Sequence, residues 1–249
     1  MSDPLRLYGL KALVTSAASG IGEAIARTLV KHGATVLAVD TPGTAVEQQF
    51  AGVKGITGMA ASISDAAQLP AMIEAAVGQL GKIDILINEY SLHTGGVIQN
   101  RDDRLDQLLA TRAELILSAC RSALPQLRKS PSGRIINIGL LRSVFSADGE
   151  AACLQAEQNL ADVTRALAAE TGKFGVTANY VQPGAIMTEV SRKVFNNDKS
   201  LRDYCIAHSA AHRLGEPIDV AKVVLFLASD DSMFVNGTGI RVDGGPAGN

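Results

Sequence analysis

The chain has 249 residues, with 23 Lys+Arg against 25 Asp+Glu (net charge −2) and 47% hydrophobic residues, which fits one packed α/β domain over 1–249 and excludes a disordered chain. Near-balanced charge without a basic run excludes a phosphate-backbone binder, so nucleic acid is not an expected partner. No stretch approaches the roughly 18 consecutive apolar residues of a membrane span, and the opening lacks a signal-peptide pattern, so a cytoplasmic protein with no membrane partner is expected.

Apolar runs alternate with helical-period segments along the whole chain. KALVTS (11–16) reads as the first strand, GIGEAIARTLVKHG (20–33) as a helix ending at Gly33, and ATVLAVD (34–40) as the second strand. GITGMAAS (55–62) is a weaker third strand, followed by a helix over 65–81 and the buried strand IDILIN (83–88). A long helix from about 101 to 128, the strand GRIINIG (133–139), a second long helix from about 151 to 171 and the strand VTANYVQPG (176–184) follow. IDVAKVVLFLAS (218–229) makes a late helix and GIRVDGG (239–245) the last strand. The fold class is therefore α/β: a doubly wound, Rossmann-type parallel sheet of seven strands, helices on both faces, with ligands expected at the carboxyl ends of the strands.

TSAASGIG (15–22) joins the first strand to the first helix, where backbone amides and a helix N-terminus face a pyrophosphate in dinucleotide-binding folds. Asp40 closes the second strand eighteen residues past Gly22, placed to take the ribose hydroxyls of NAD and repel a 2′-phosphate. The bland alternative is a tight turn whose glycines only let helix and strand approach. Cys120, Cys153 and Cys205 are odd in number and widely spaced, so they read as free thiols, neither a disulfide framework nor a metal site.

TSAASGIG, DILINEYS, GRIINIG, TRALAAE, VTANYVQPGAIMTE and RVDGG, in this order, resemble the blocks of the short-chain dehydrogenase/reductase family over nearly the whole chain. The family transfers a hydride between a carbinol carbon and a nicotinamide. A tyrosine serves as base, a lysine four residues later lowers its pKa, a serine orients the substrate oxygen, and an asparagine anchors a relay water. Carried over position by position, the resemblance puts the tyrosine at Cys153, the lysine at Glu157, the serine at Leu140 and the asparagine at Arg112, so all four are vacated. Leu140 has no donor for a carbonyl, and Glu157 is expected to raise the Cys153 thiol.

The cofactor contacts are expected to be vestigial at Ser16, Ser19, Gly20, Ile21, Gly22, Asp40 and Asn88. Ser16 replaces the first glycine of the turn, Glu89 and Tyr90 bring charge and bulk toward the expected ligand, and Ser62 replaces an aspartate that contacts adenine. Scaffold positions, among them Asn137, Pro183, Gly184, Thr188, Asp243, Gly244 and Gly245, persist.

Three readings follow. The first is a non-catalytic subunit that binds no cofactor itself, paired in a heterotetramer with an active paralogue that carries NAD; the mixed assembly it most resembles is a hydroxyacyl-CoA dehydrogenase with an inactive subunit. Leu154, Leu160, Val163 and Leu167 would form the stripe packing on a neighbour, unless they face only their own sheet. The second is a different chemistry using Cys153 as nucleophile with His93 and Glu157; the halohydrin dehalogenase arrangement is excluded by Leu140 and Cys153. The third is a ligand sensor whose covering segment, 186–215, engages an anion through Arg192, Lys193, Lys199 and Arg202. No metal site is expected: His32, His208 and His212 have neither ligand spacing nor companions.

Overall fold

The computed structural model describes residues 6–90, 98 and 102–246. Within them lies one seven-stranded parallel sheet, in the order β3-β2-β1-β4-β5-β6-β7. The strands are β1 (Lys11–Val14), β2 (Thr35–Asp40), β3 (Ile56–Ala60), β4 (Ile85–Asn88), β5 (Arg134–Ile138), β6 (Thr177–Pro183) and β7 (Gly239–Val242). The helices are α1 (Gly20–Lys31), α2 (Val46–Gln49), α3 (Leu69–Leu80), α4 (Asp103–Leu127), α5 (Glu150–Thr171), α6 (Glu189–Asn197), α7 (Lys199–Ala207) and α8 (Pro217–Ala228). All seven expected strands form. The short α2 is not visible in the sequence pattern, α3 begins at Leu69 where the pattern starts at Asp65, and α1 stops at Lys31, two residues before Gly33 turns the chain at φ 100°.

Every residue of β4, β5 and β6 is buried, polar ones such as Asn137, Asn179 and Gln182 included, because helices cover both faces of the sheet. On one face Ile21, Ile25 and Leu29 of α1 pack with Val220, Val224 and Leu227 of α8. On the other, Leu115 and Ile116 of α4 and Leu160 and Leu167 of α5 pack with Leu13, Leu37 and Leu86. The strand order reverses between β1 and β4, and that switch point places the ends of β1, β2 and β4 around one crevice.

The stripe expected on α5 is divided. Leu160 and Leu167 bury against the chain's own sheet and Val163 packs beside them, whereas Leu154 stays 48% exposed. The outer face of α4 and α5 instead carries a groove of about 880 Å3, lined by Asp106, Leu154, Gln158, Asp162 and Arg165 among others.

Candidate functional site

The turn after β1 keeps a dinucleotide-binding shape. Ser16 adopts φ 48°, the left-handed conformation a glycine would take without penalty, and Gly20 follows at φ 61°. A Cβ at Gly22 would lie 2.2 Å from the Ser16 carbonyl oxygen, so this glycine is required for the turn to close on α1. Ser19 is the residue before α1, in extended conformation, and Ile21 is buried in the core. Asp40, at the end of β2, is already engaged: its Oδ2 accepts the Ala18 N–H at 2.9 Å and its Oδ1 the Thr41 N–H at 2.7 Å.

At the end of β4 the expected contact residues turn inward. Asn88 is fully buried, its amide donating to Asn137 Oδ1 (2.9 Å) and Cys120 Sγ (3.3 Å), with Asn137 passing a bond on to Thr164 Oγ1 (3.0 Å). Asn88, expected among the vestigial cofactor contacts, therefore belongs to a core network. The Tyr90 ring does not project toward a ligand; it is 2% exposed, packs in the core beside Leu86 and Leu115, and burial pushes its phenol well above the ordinary tyrosine range. Glu89 is half-buried, tied by its backbone to Thr15 Oγ1 at 3.0 Å. The turn after β1 thus keeps the glycine geometry of a dinucleotide loop, while Asn88 and Tyr90 at the end of β4 turn into the core.

Three of the four vacated positions, Leu140, Arg112 and Glu157, have new partners. Leu140, beyond β5, packs with Leu105, Leu109, Phe145, Ala152 and Ala156, so an apolar cluster fills the place of the serine. Its carbonyl accepts from Gln182 Nε2 at 2.8 Å, a residue that sequence reading missed. Arg112, 5% exposed on α4, donates from Nη1 to the Tyr90 carbonyl (2.7 Å) and from Nη2 to the Ile138 carbonyl (2.5 Å), clamping the ends of β4 and β5. Burial pulls its guanidinium below the ordinary arginine value, with Glu89 opposing. Glu157, one turn after Cys153 on α5, accepts from Nε of Arg241 at 3.0 Å and from its Nη2, a bidentate pair across to β7. Nothing in the chain order announced Arg241 or Arg142 as site residues; an unexplained carboxylate at 157 was the one available hint that a cation had to face it.

Cys153 is raised above the ordinary thiol range first by burial; Arg142 opposes and Glu157 adds only a smaller push. The sequence expectation named Glu157 alone, because desolvation is invisible without the packing. Burial likewise raises Cys205, and pushes Cys120 up to about 12. Alkylation of the native protein by iodoacetamide is therefore expected at Cys153 only, slow at neutral pH and accelerating as pH rises, because the thiolate forms above the usual thiol pKa. Peptide mapping checks this; fast labelling of Cys153 at pH ~7 would contradict it.

A cavity of about 470 Å3 lies beside Cys153 and Glu157, bounded by the end of β6, by α7, and by the turn after β7. His93 lies outside the described residues, and Glu157 is committed to Arg241, which removes its expected partnership with Cys153 in a nucleophilic triad. His208 stacks on Tyr204 (ring centroids 3.9 Å apart), and among the described residues no group of three His, Cys, Asp or Glu side chains is placed to hold a metal. Of the expected lid cations, Lys193 pairs with Glu189 and Arg202 with Asp203 on the surface; none of Arg192, Lys193, Lys199 and Arg202 lines this cavity. No helix of the described residues is long and apolar enough to cross a membrane.

A family model described as enoyl-(acyl carrier protein) reductase matches residues 16–246. The 3-oxoacyl-acyl-carrier-protein reductase FabG of Vibrio harveyi is 32% identical over 244 residues, spanning 97% of this chain and 98% of the relative. The enzyme of the same name from Escherichia coli K12 is 30% identical over 244 residues (97% and 98%), and that of Thermotoga maritima 27% over 246 residues (97% and 99%).

Proposed function

The chain belongs to the short-chain dehydrogenase/reductase family of oxidoreductases, and from that premise we propose that it is a non-catalytic subunit paired with an active, NAD-dependent paralogue in a heterotetramer. The observation that carries this reading is the repacking of the vacated centre. Arg112 holds two strand ends, Leu140 sits in an apolar cluster, and Glu157 is bound to Arg241. Each of these three residues has its own internal partner, as expected of a position turned to structure. No described residue at the centre offers a base poised for a carbinol proton: the nearest substitute, Cys153, is driven toward its neutral thiol by burial.

The retained scaffold supports a role that needs the fold. Gln155 lies on the groove between α4 and α5, and its Oε1 is buried without a hydrogen-bond partner among the described residues. That atom is closed off by its own chain, so the surface offered to a neighbouring subunit is the rest of this groove, with Leu154 48% exposed on it. On this reading the partner supplies the Ser, Tyr and Lys and binds the dinucleotide, and this chain binds none. The named relatives reduce 3-oxoacyl thioesters, so a hydroxyacyl thioester is the proposed substrate class of the complex. The assembly it most resembles is the heterotetrameric 2-(hydroxy(phenyl)methyl)succinyl-CoA dehydrogenase of anaerobic toluene degradation, in which this chain would correspond to the inactive subunit.

The experiment is a comparison of turnover. The chain alone, assayed with NADH or NADPH and a 3-oxoacyl thioester, is expected at background, while the complex isolated from its source turns over and loses activity when this chain is removed. Turnover by this chain alone at ordinary enzyme rates overturns the proposal.

A further inference from the structure

We propose that the cavity of about 470 Å3 is a binding site for a small monocarboxylate with an apolar body, anchored by Arg142. Its volume lies within the range of small-molecule sites, ~300–1,000 Å3. Three arginines line it, and two have carboxylates of their own: Arg213 lies 2.9 Å from Asp219, and Arg241 is paired with Glu157. Arg142 has no carboxylate within ion-pair distance among the described residues, although it is half-buried; Glu150 lines the cavity from the exposed start of α5.

The Arg142 guanidinium is already held in place. Nη1 donates to the Phe145 carbonyl (3.0 Å) and Nη2 to the Ala147 carbonyl (3.1 Å), and Cζ stands 5.2 Å from the centre of the Tyr204 ring, which itself stacks on His208. Two of five N–H donors are used, so three remain for an incoming anion without loss of side-chain freedom. Beside it, Cys153, Leu154, Ile186 and Cys205 supply an apolar wall. A carboxylate on Arg142 with its hydrocarbon body against that wall satisfies both features. A dianion is disfavoured by Glu150 and Asp243, which line the same space. Arg192, Lys193, Lys199 and Arg202 of the covering segment do not line this space.

The site is tested on the full chain by isothermal titration calorimetry with hexanoate and benzoate, and with hexanamide and benzamide as neutral controls of the same shape. A carboxylate is expected to bind saturably and at least about tenfold tighter than its amide, a difference of ~1.4 kcal/mol. Arg142→Gln is expected to erase that preference, and Cys153→Phe to abolish binding by filling the cavity while the circular-dichroism melt is kept. Should Arg142→Gln fail to fold, protection of Cys153 from alkylation by the carboxylate in the unmodified chain gives the same answer. Equal binding of acid and amide, or no saturation up to ~10 mM, overturns the proposal. The outcome is separable from the subunit reading: absent binding leaves that reading intact, and a chain that forms no hetero-oligomer but binds the carboxylate leaves this one.

Discussion

Arg112→Ala is expected to lower the unfolding free energy by about 2–4 kcal/mol, a fall in melting temperature of roughly 5–15 °C. Each bond from a guanidinium to a buried carbonyl is worth about 1.5–3 kcal/mol, and part of that sum is returned because a buried charge is no longer held out of water. The carbonyls of Tyr90 and Ile138 lose their donor together, at the ends of two neighbouring central strands. Arg112→Asn, the residue the family carries there, is expected to destabilise as well, since its amide is too short to reach both carbonyls. Arg112→Met separates packing from hydrogen bonding by keeping most of the volume. A melt of Arg112→Ala unchanged within ~0.5 kcal/mol would show that the clamp contributes nothing.

Restoring the four family residues together, Arg112→Asn, Leu140→Ser, Cys153→Tyr and Glu157→Lys, is expected to leave the isolated chain without hydride transfer, at least ~10⁴-fold below ordinary enzyme turnover of about 1–10³ s⁻¹. A lysine at 157 would face Arg241, a like-charge contact where a bidentate pair now stands. Adding Arg241→Val removes that like-charge contact, and turnover is expected to appear only in that five-fold variant. Activity in the four-fold variant at ordinary rates would mean that the surroundings had remained competent and only the reacting groups were lost.

The sheet was legible because its central strands are buried on both faces, so β1, β2 and β4 stand out as short apolar runs between helical-period segments, and β5 and β6 follow in the same rhythm. The loss of the four reacting groups was legible for a similar reason: flanking blocks fix their place in the chain. What filled the gaps was not. Glu157 and Arg241 are 84 residues apart, and Arg112 reaches carbonyls 22 and 26 residues away. Pairings of that kind depend on how helices seat on the sheet. The inward turn of Tyr90 had a signal that went unused: Leu86, Asn88 and Tyr90 alternate along an extended segment, so all three share the face covered by α4. Arg142 had none, since an arginine after a strand reads as solvated until its carbonyl anchors and its aromatic neighbour are seen.

As a non-catalytic subunit, this chain would keep the fold and leave the chemistry to another. Native mass spectrometry of the protein isolated from its own source tests it most directly. A stable complex is expected with a second chain of similar mass, whose sequence retains the serine, tyrosine and lysine. A chain found only as a monomer or homo-oligomer, with no second polypeptide, would contradict it.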